Sequence, residues 1–257
     1  MNEVEETRRY FDRTASDFSV KYRADGSFEE RRRVWERCIV DSAGCLDAGR
    51  VCLDIGCGDG SLSRPVAARG HRTIGIDQST SMLSLARQQA AAEGVSAHAE
   101  YVEGTIPLPS AMLAEWKGKA GLILCSSVLE YVEDYAAALR QFQVLLTDGG
   151  RMIVSVPNRH SVYRLVERVM RRLLPRRDSY LRYQRHQFCA DAFKAQLAAL
   201  GLTLVHEEYF ALPLHAFTAR LFGGRRDKRV ATLYVVVAEK PADGRTGTTF
   251  VPSAMTA

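Results

Sequence analysis

The stretch Val51–Ser63, VCLDIGCGDGSLS, sets three glycines two apart directly after an apolar run that ends in an acid. The run reads as a strand and the residues beyond it as a helix, so the glycines mark a bend where backbone comes close to a ligand. A dinucleotide fingerprint, GxGxxG, would need glycine where Ser61 stands; Gly56, Gly58 and Gly60 make GxGxG instead. Asp54, two residues ahead of Gly56, would also repel a pyrophosphate at a poorly hydrated site. For a cationic ligand the sign reverses, and the same acid attracts.

A second acid follows. The segment RTIGIDQSTSMLSLAR ends a strand at Asp77, seventeen residues beyond Gly60. A carboxylate there can accept both hydroxyls of a ribose; the plainer alternative is that it caps the helix starting near Ser79. S-adenosylmethionine suits both acids, since it carries a ribose, a sulfonium and an ammonium but no phosphate.

The rest of the chain predicts an α/β fold. Strand-like runs at 51–55, 72–76, 98–102, 120–125 and 151–156 alternate with helix-like ones at 61–69, 79–93 and 134–147, the pattern of a parallel sheet with crossover helices. The first 48 residues read as a helical lid, 49–157 as a cofactor-binding core and 158–188 as an excursion over the substrate with a basic helix near 160–174; another helix is expected at 189–200. TLVHEEYFAL and RVATLYVVVAEK look like a closing strand pair, and 241–257 reads as a disordered tail beyond one domain of 1–240. With 257 residues, 46% of them hydrophobic, the chain can bury one large core. No apolar run reaches the ~20 residues that cross a bilayer, and the N-terminus lacks a signal-peptide core, so the chain reads as cytoplasmic. The six cysteines form no CxxC pair, which favours reduced thiols over a metal site.

LDIGCGDG, then GIDQS, then CSSVLEYVEDYAAALRQFQVLLTDGGRMIVSVPN, in that order, resemble the class I S-adenosylmethionine-dependent methyltransferases over roughly residues 45–240. The resemblance implies a Rossmann-like sheet of seven strands, the last antiparallel, with helices on both faces and S-adenosyl-L-methionine lying over Gly56, Cys57, Gly58 and Gly60. It further implies that Asp54 borders the methionine end, Asp77 holds the ribose and Gln78 lies near the adenine. Cys125 and Ser126 would offer main-chain groups to the cofactor ammonium. Where the family often has an acid after the third strand, this chain has Thr105, so Ile106 backbone and apolar packing are expected to hold the adenine. Gly121 stands where an acid usually opens the fourth strand.

Within the family, the last block looks most like the ubiquinone-biosynthesis O-methyltransferases and relatives that act on small aromatic or lipid-like acceptors. Those proteins carry an acidic pair and a histidine where SSVLEYV stands here; Glu130 matches the second acid, Ser127 replaces the first and Tyr131 the histidine. No metal is therefore expected. His186 matches a histidine of these relatives, and His186, Tyr131 and Glu130 are the candidates for catalysis. Tyr10, Phe11 and Tyr22 of the lid and His160 of the excursion are candidates for substrate contact, with ordinary packing the alternative for the aromatics.

Residues 159–185 hold nine arginines against two acids. Val162, Leu165, Val166, Val169 and Leu173 follow helical spacing with Arg164, Arg168, Arg171 and Arg172 between them, a basic amphipathic helix. Three readings stay open: a solvated lid, an anionic membrane surface met through 159–177, and nucleic acid, the least favoured. The partners expected are a small-molecule acceptor and, for assembly, either a monomer or a homodimer.

Overall fold

The structure, a computed structural model, describes residues 3–24, 26–46, 49–173, 182–212 and 228–242. Two helices come first, α1 (Glu3–Ala24) and α2 (Gly26–Ser42), then a short 3-10 turn at Ala43–Cys45. Strands and helices alternate after that: β1 (Val51–Ile55), α3 (Ser63–Ala67), β2 (Thr73–Asp77), α4 (Thr80–Ala92), β3 (Ala99–Glu103), α5 (Ser110–Trp116), β4 (Ala120–Ser126), α6 (Tyr135–Leu145) and β5 (Leu146–Pro157). Helices α7 (Val162–Leu173) and α8 (Ala190–Ala199) precede a last pair of strands, β6 (Thr203–Phe210) and β7 (Leu233–Glu239).

The seven strands form one sheet in the order β3-β2-β1-β4-β5-β7-β6. β1 to β5 pair in parallel, whereas β7 runs antiparallel to both of its neighbours. This is the Rossmann-like sheet expected from the sequence, and its order reverses at β1, where a doubly wound sheet opens a crevice at its carboxyl edge. The bend after β1 lies at that edge.

Strand alternation divides the core between two faces. Leu53, Ile55, Ile123, Met152, Val154 and Tyr234 pack with Phe142 of α6 and Phe193 of α8. Cys52, Leu122, Leu124, Ile153 and Val235 pack on the other side against Val34, Trp35, Cys38 and Ile39, one stripe of α2. Beside them Leu83, Ala86 and Ala90 of α4 meet Cys57 and Tyr101. The N-terminal region is thus partly core: α2 lies on the sheet, and α1 packs on α4.

Two elements differ clearly from their expected extents, and a third, α5, was not expected. The helix expected over 61–69 is only Ser63–Ala67, because the bend consumes its first turn. β5 starts at Leu146, immediately after α6, since Gly149 N–H donates to the Lys240 carbonyl (2.7 Å) and Lys240 N–H to that of Gly150 (2.9 Å), carrying the pairing back past the glycines. Helix α5 follows Pro109 in a stretch too short to show a helical period. Gly121, where an acid was expected, has a steric cause: a Cβ there would run into the Cys45 carbonyl oxygen of the 3-10 turn. Tyr22 lies in the last turns of α1 with its side chain outside the described part, and the expected tail from 243 onward also falls outside it.

Adding one methyl at Gly121 therefore forces the turn away from β4, and Gly121→Ala is expected to lower stability by about 1–3 kcal/mol. Gly44, with nothing within 4 Å of a built Cβ, should accept alanine within about 0.5 kcal/mol. Urea denaturation midpoints of the two variants check the difference.

Candidate active site

A cavity of about 450 Å³ opens at the carboxyl edge of β1, β2 and β4. Its floor is the glycine bend. Gly56, Gly58 and Gly60 all have positive φ (71°, 53° and 74°), a region that a side chain would strain. Gly60 is also fixed by space, because a Cβ there would come within 2.6 Å of the Tyr101 hydroxyl oxygen, the end of a ring that fills the volume under the bend. The ring in turn demands Gly75 on β2. Three positions on different elements thus hold the bend flat against the cavity.

Two carboxylates face this floor. Asp54 is buried, and its Oδ2 has no hydrogen-bond partner among the described residues. Burial pushes its carboxyl up to about 7, against hydrogen bonding from Ser63, with the Asp77 and Asp59 charges adding to the rise. Asp77 ends β2 and accepts Gly58 N–H on Oδ2 (2.9 Å) and Ser79 N–H on Oδ1 (2.8 Å). Burial raises its carboxyl as well; the amides of Ser79, Gly58 and Gln78 pull it down, and the Asp12 charge lifts it. A buried, partly orphaned acid beside a second acid is costly by itself. A bound cation relieves that cost, which is how the residues present fit a sulfonium and ammonium donor.

Opposite these acids stands Arg31 of α2, a residue that motif reading missed. Its Nη2 donates to the hydroxyls of Ser126 (2.5 Å) and Ser127 (3.1 Å) at the end of β4, and the side chain lines the cavity. Ser127 is held at φ 55°, an uncommon left-handed conformation for a residue with a side chain. A guanidinium at this end supplies what a carboxylate would need. The signal was present in the sequence: Arg31 shares the helical stripe of Val34, Trp35 and Cys38, where a charge has no place unless it reaches a partner.

The other expected residues separate into two groups. Cys57, Gln78, Thr105, Ile106, Ser126, Phe11 and Tyr131 line the cavity together with Asp54, Asp77, Gly56 and Gly58. Phe11 and Tyr131 meet edge to face, with ring centroids 5.5 Å apart. Gly60, Cys125, Glu130, His186, His160 and Tyr10 are not among the lining residues. Cys125 is fully buried beneath Ser126, and burial pushes its thiol well up. Glu130 is buried too, its carboxyl raised to about 7 by desolvation against the opposing charges of Arg31 and Arg164. Its carbonyl accepts the amides of Arg185 (2.7 Å) and His186 (3.1 Å).

The His186 ring packs against Tyr135 (4.9 Å between centroids), and its Nε2 lies 3.0 Å from the Val132 carbonyl and 3.3 Å from that of Glu133. Val132 and Glu133 line the cavity, so His186 touches the wall from behind. His160 is exposed, its Nε2 3.3 Å from Cys189 Sγ. Tyr10 stacks on Tyr183 at 5.2 Å, tying α1 to the excursion. Among the described residues no group of three or more His, Cys, Asp or Glu is placed to hold a metal ion.

A family model described as a methyltransferase domain matches residues 27–207, and the chain belongs to that family. A methyltransferase domain is what its motifs implied. The chain is 36% identical over 122 residues to a ubiquinone biosynthesis O-methyltransferase of Acinetobacter baylyi, covering 48% of this chain and 49% of the relative. One from Marinobacter nauticus is 37% identical over 113 residues, 44% and 46% of the two chains. The match thus spans about half the length of these curated relatives. Among solved structures, magnesium protoporphyrin IX methyltransferase from Synechocystis PCC 6803, with bound SAH, superposes with a TM-score of 0.65 at 21% identity, covering 93% of this chain and all of that one.

Asp54 gives the site a pH signature. Its folded-state value of about 7 lies above the ordinary carboxyl value of 3.8, so the free protein loses stability as pH rises between the two. A cation bound beside Asp54 favours the ionised form, so cofactor affinity should rise with pH up to about 7 and level off above it. Calorimetric titration with S-adenosylmethionine from pH 5.5 to 8.5 checks this, and in Asp54→Asn the slope should vanish along with most of the affinity.

Proposed function

We propose that the protein transfers a methyl group to oxygen on a small aromatic or lipid-like acceptor. One observation carries the reading: the cavity joins a charged cofactor end, with Asp54, Asp77 and Arg31, to an aromatic end formed by Phe11 and Tyr131. Glycine bend, acids and guanidinium would hold the cofactor, which supplies an already activated methyl. What remains for the chain is to align the acceptor and remove its proton. Stacking on Phe11 and Tyr131 suits a planar acceptor. In this reading the Tyr131 hydroxyl orients the acceptor oxygen, and Glu133 at the cavity rim is the carboxylate that takes the proton. His186 acts through the wall it supports, and Glu130 holds the same wall through its carbonyl. The O-methyltransferase relatives support this acceptor class over the half of the chain that they match.

Helix α7 supports the lipid-like side of the reading. Val162, Leu165, Val166 and Val169 fall on one face, and each is 50–57% exposed, while Arg164 is buried and pairs with Glu167 at 2.8 Å. Among the described side chains of this helix, the apolar ones therefore face solvent. An apolar stripe in a segment of nine arginines and two acids matches the headgroup boundary of an anionic bilayer better than water or nucleic acid. No helix among the described residues is long and apolar enough to cross a membrane, so contact would be peripheral.

Purified protein with labelled S-adenosylmethionine should methylate members of a panel of catechols, quinols and hydroxylated lipids. Tyr131→Phe should lower kcat by about tenfold or more, and Glu133→Gln by about a hundredfold. Binding of the cofactor without turnover of any acceptor in the panel would contradict the proposal. Vesicles rich in phosphatidylglycerol should sediment the protein, whereas phosphatidylcholine vesicles should not, and Leu165→Asp with Val169→Asp should abolish recovery. Equal recovery with both vesicles would contradict the membrane contact.

A further inference from the structure

Asp12 lies on the lid helix, yet its carboxylate reaches the ribose side of the cavity. Its Oδ1 accepts the Ser79 hydroxyl (2.6 Å) and the Ser81 amide (3.3 Å) at the start of α4. Ser79 is the residue on which α4 opens: its hydroxyl oxygen also accepts Met82 N–H (3.2 Å), and its own N–H donates to Asp77 Oδ1 (2.8 Å). The other Asp77 oxygen is taken by Gly58 N–H at 2.9 Å. The plane of the Asp77 carboxylate is thus set by two amides, one from the glycine bend and one from the first residue of α4. Each carboxylate oxygen keeps lone-pair capacity beyond the amide it accepts.

We propose that Asp12 is a positioning residue for cofactor recognition: by holding Ser79, it fixes the start of α4 and so the orientation in which Asp77 meets a ribose diol. The inference rests on the reading of Asp77 as the ribose ligand. An acid is an expensive choice for this task. A second negative charge beside Asp77 raises the Asp77 carboxyl, and a neutral Asn or Ser could accept the same hydroxyl without the repulsion. What a full charge adds is a stronger hold on a hydroxyl and an amide that both donate to one oxygen. It also adds attraction to the positive end of a 13-residue helix. Arg8, one turn earlier on α1, lies 3.8 Å from Asp12 Oδ2 and 3.4 Å from Glu103, which ends β3 beside the cavity residue Gly104. The lid helix is therefore anchored at both strand ends that flank the nucleoside.

A pair of ligands tests this: 5′-methylthioadenosine and its 2′-deoxy counterpart, titrated calorimetrically into wild type, Asp12→Ala, Asp12→Asn and Ser79→Ala. Wild type should prefer the ribose compound by about tenfold or more, because a site built for hydroxyls rejects a ligand lacking one. Asp12→Ala should cut the preference to less than about threefold, chiefly by weakening the ribose compound, and Ser79→Ala should do the same. Asp12→Asn, nearly the same shape, should fall between, and it keeps the test readable if the alanine variant folds poorly. A purely structural role would weaken both ligands equally and leave the ratio intact; an unchanged ratio in the Asp12 variants overturns the inference. A wild type that binds both compounds equally overturns the ribose reading of Asp77 instead, and one that binds neither overturns the cofactor site.

Discussion

Negative charge stored in the interior, beside a bend with glycine at every other position, is the constraint on which the rest of the molecule turns. Asp54 is buried with one oxygen that finds no hydrogen-bond partner among the described residues, Asp77 ends the next strand facing the same space, and both carboxyls are held above their ordinary range. Such an arrangement costs stability in the free protein. It is tolerated because the sheet behind it is packed on both faces and the bend cannot move: Tyr101 fills the volume that side chains at Gly60 and Gly75 would need. A rigid acid pair at a doubly wound crevice selects for a cation, and a methyl donor with a sulfonium is such a ligand.

The two N-terminal helices complete the site in different ways. α2 is part of the core and brings Arg31 to the end of β4, so the cavity carries both signs of charge at separate places. α1 lies across the entrance, with Phe11 toward Tyr131, Tyr10 toward Tyr183 and Arg8 toward Glu103. One helix thus touches both the strand ends at the cavity and the excursion. α7 follows β5 with Val162, Leu165, Val166 and Val169 exposed.

What could be read from the sequence, and what could not, follows the range of the interactions. Strand–acid–glycine spacing and the second acid are local, so Asp54, the three glycines and Asp77 were legible, as was a sheet whose last strand in the chain runs antiparallel. Thr105, Ile106 and Gln78 were placed through resemblance and do line the cavity. The role of Arg31 needed knowledge of which helix face meets β4, information that lies 95 residues away in the chain. His186 shows the opposite limit: the type of residue suggested chemistry, but its ring stands behind the wall, against the carbonyls of Val132 and Glu133. Gly121 is a third case, since only the path of the 3-10 turn over β4 explains why a side chain is excluded there.

Electrostatic choice at the bend is the central claim, and competitive calorimetry addresses it directly. At neutral pH the protein should take up S-adenosylmethionine with micromolar affinity or better, bind its neutral-sulfur product at the same site, and show no heat with NAD or ATP. Uptake of a pyrophosphate-bearing nucleotide at this site, with the sulfonium compound left unbound, would contradict the account.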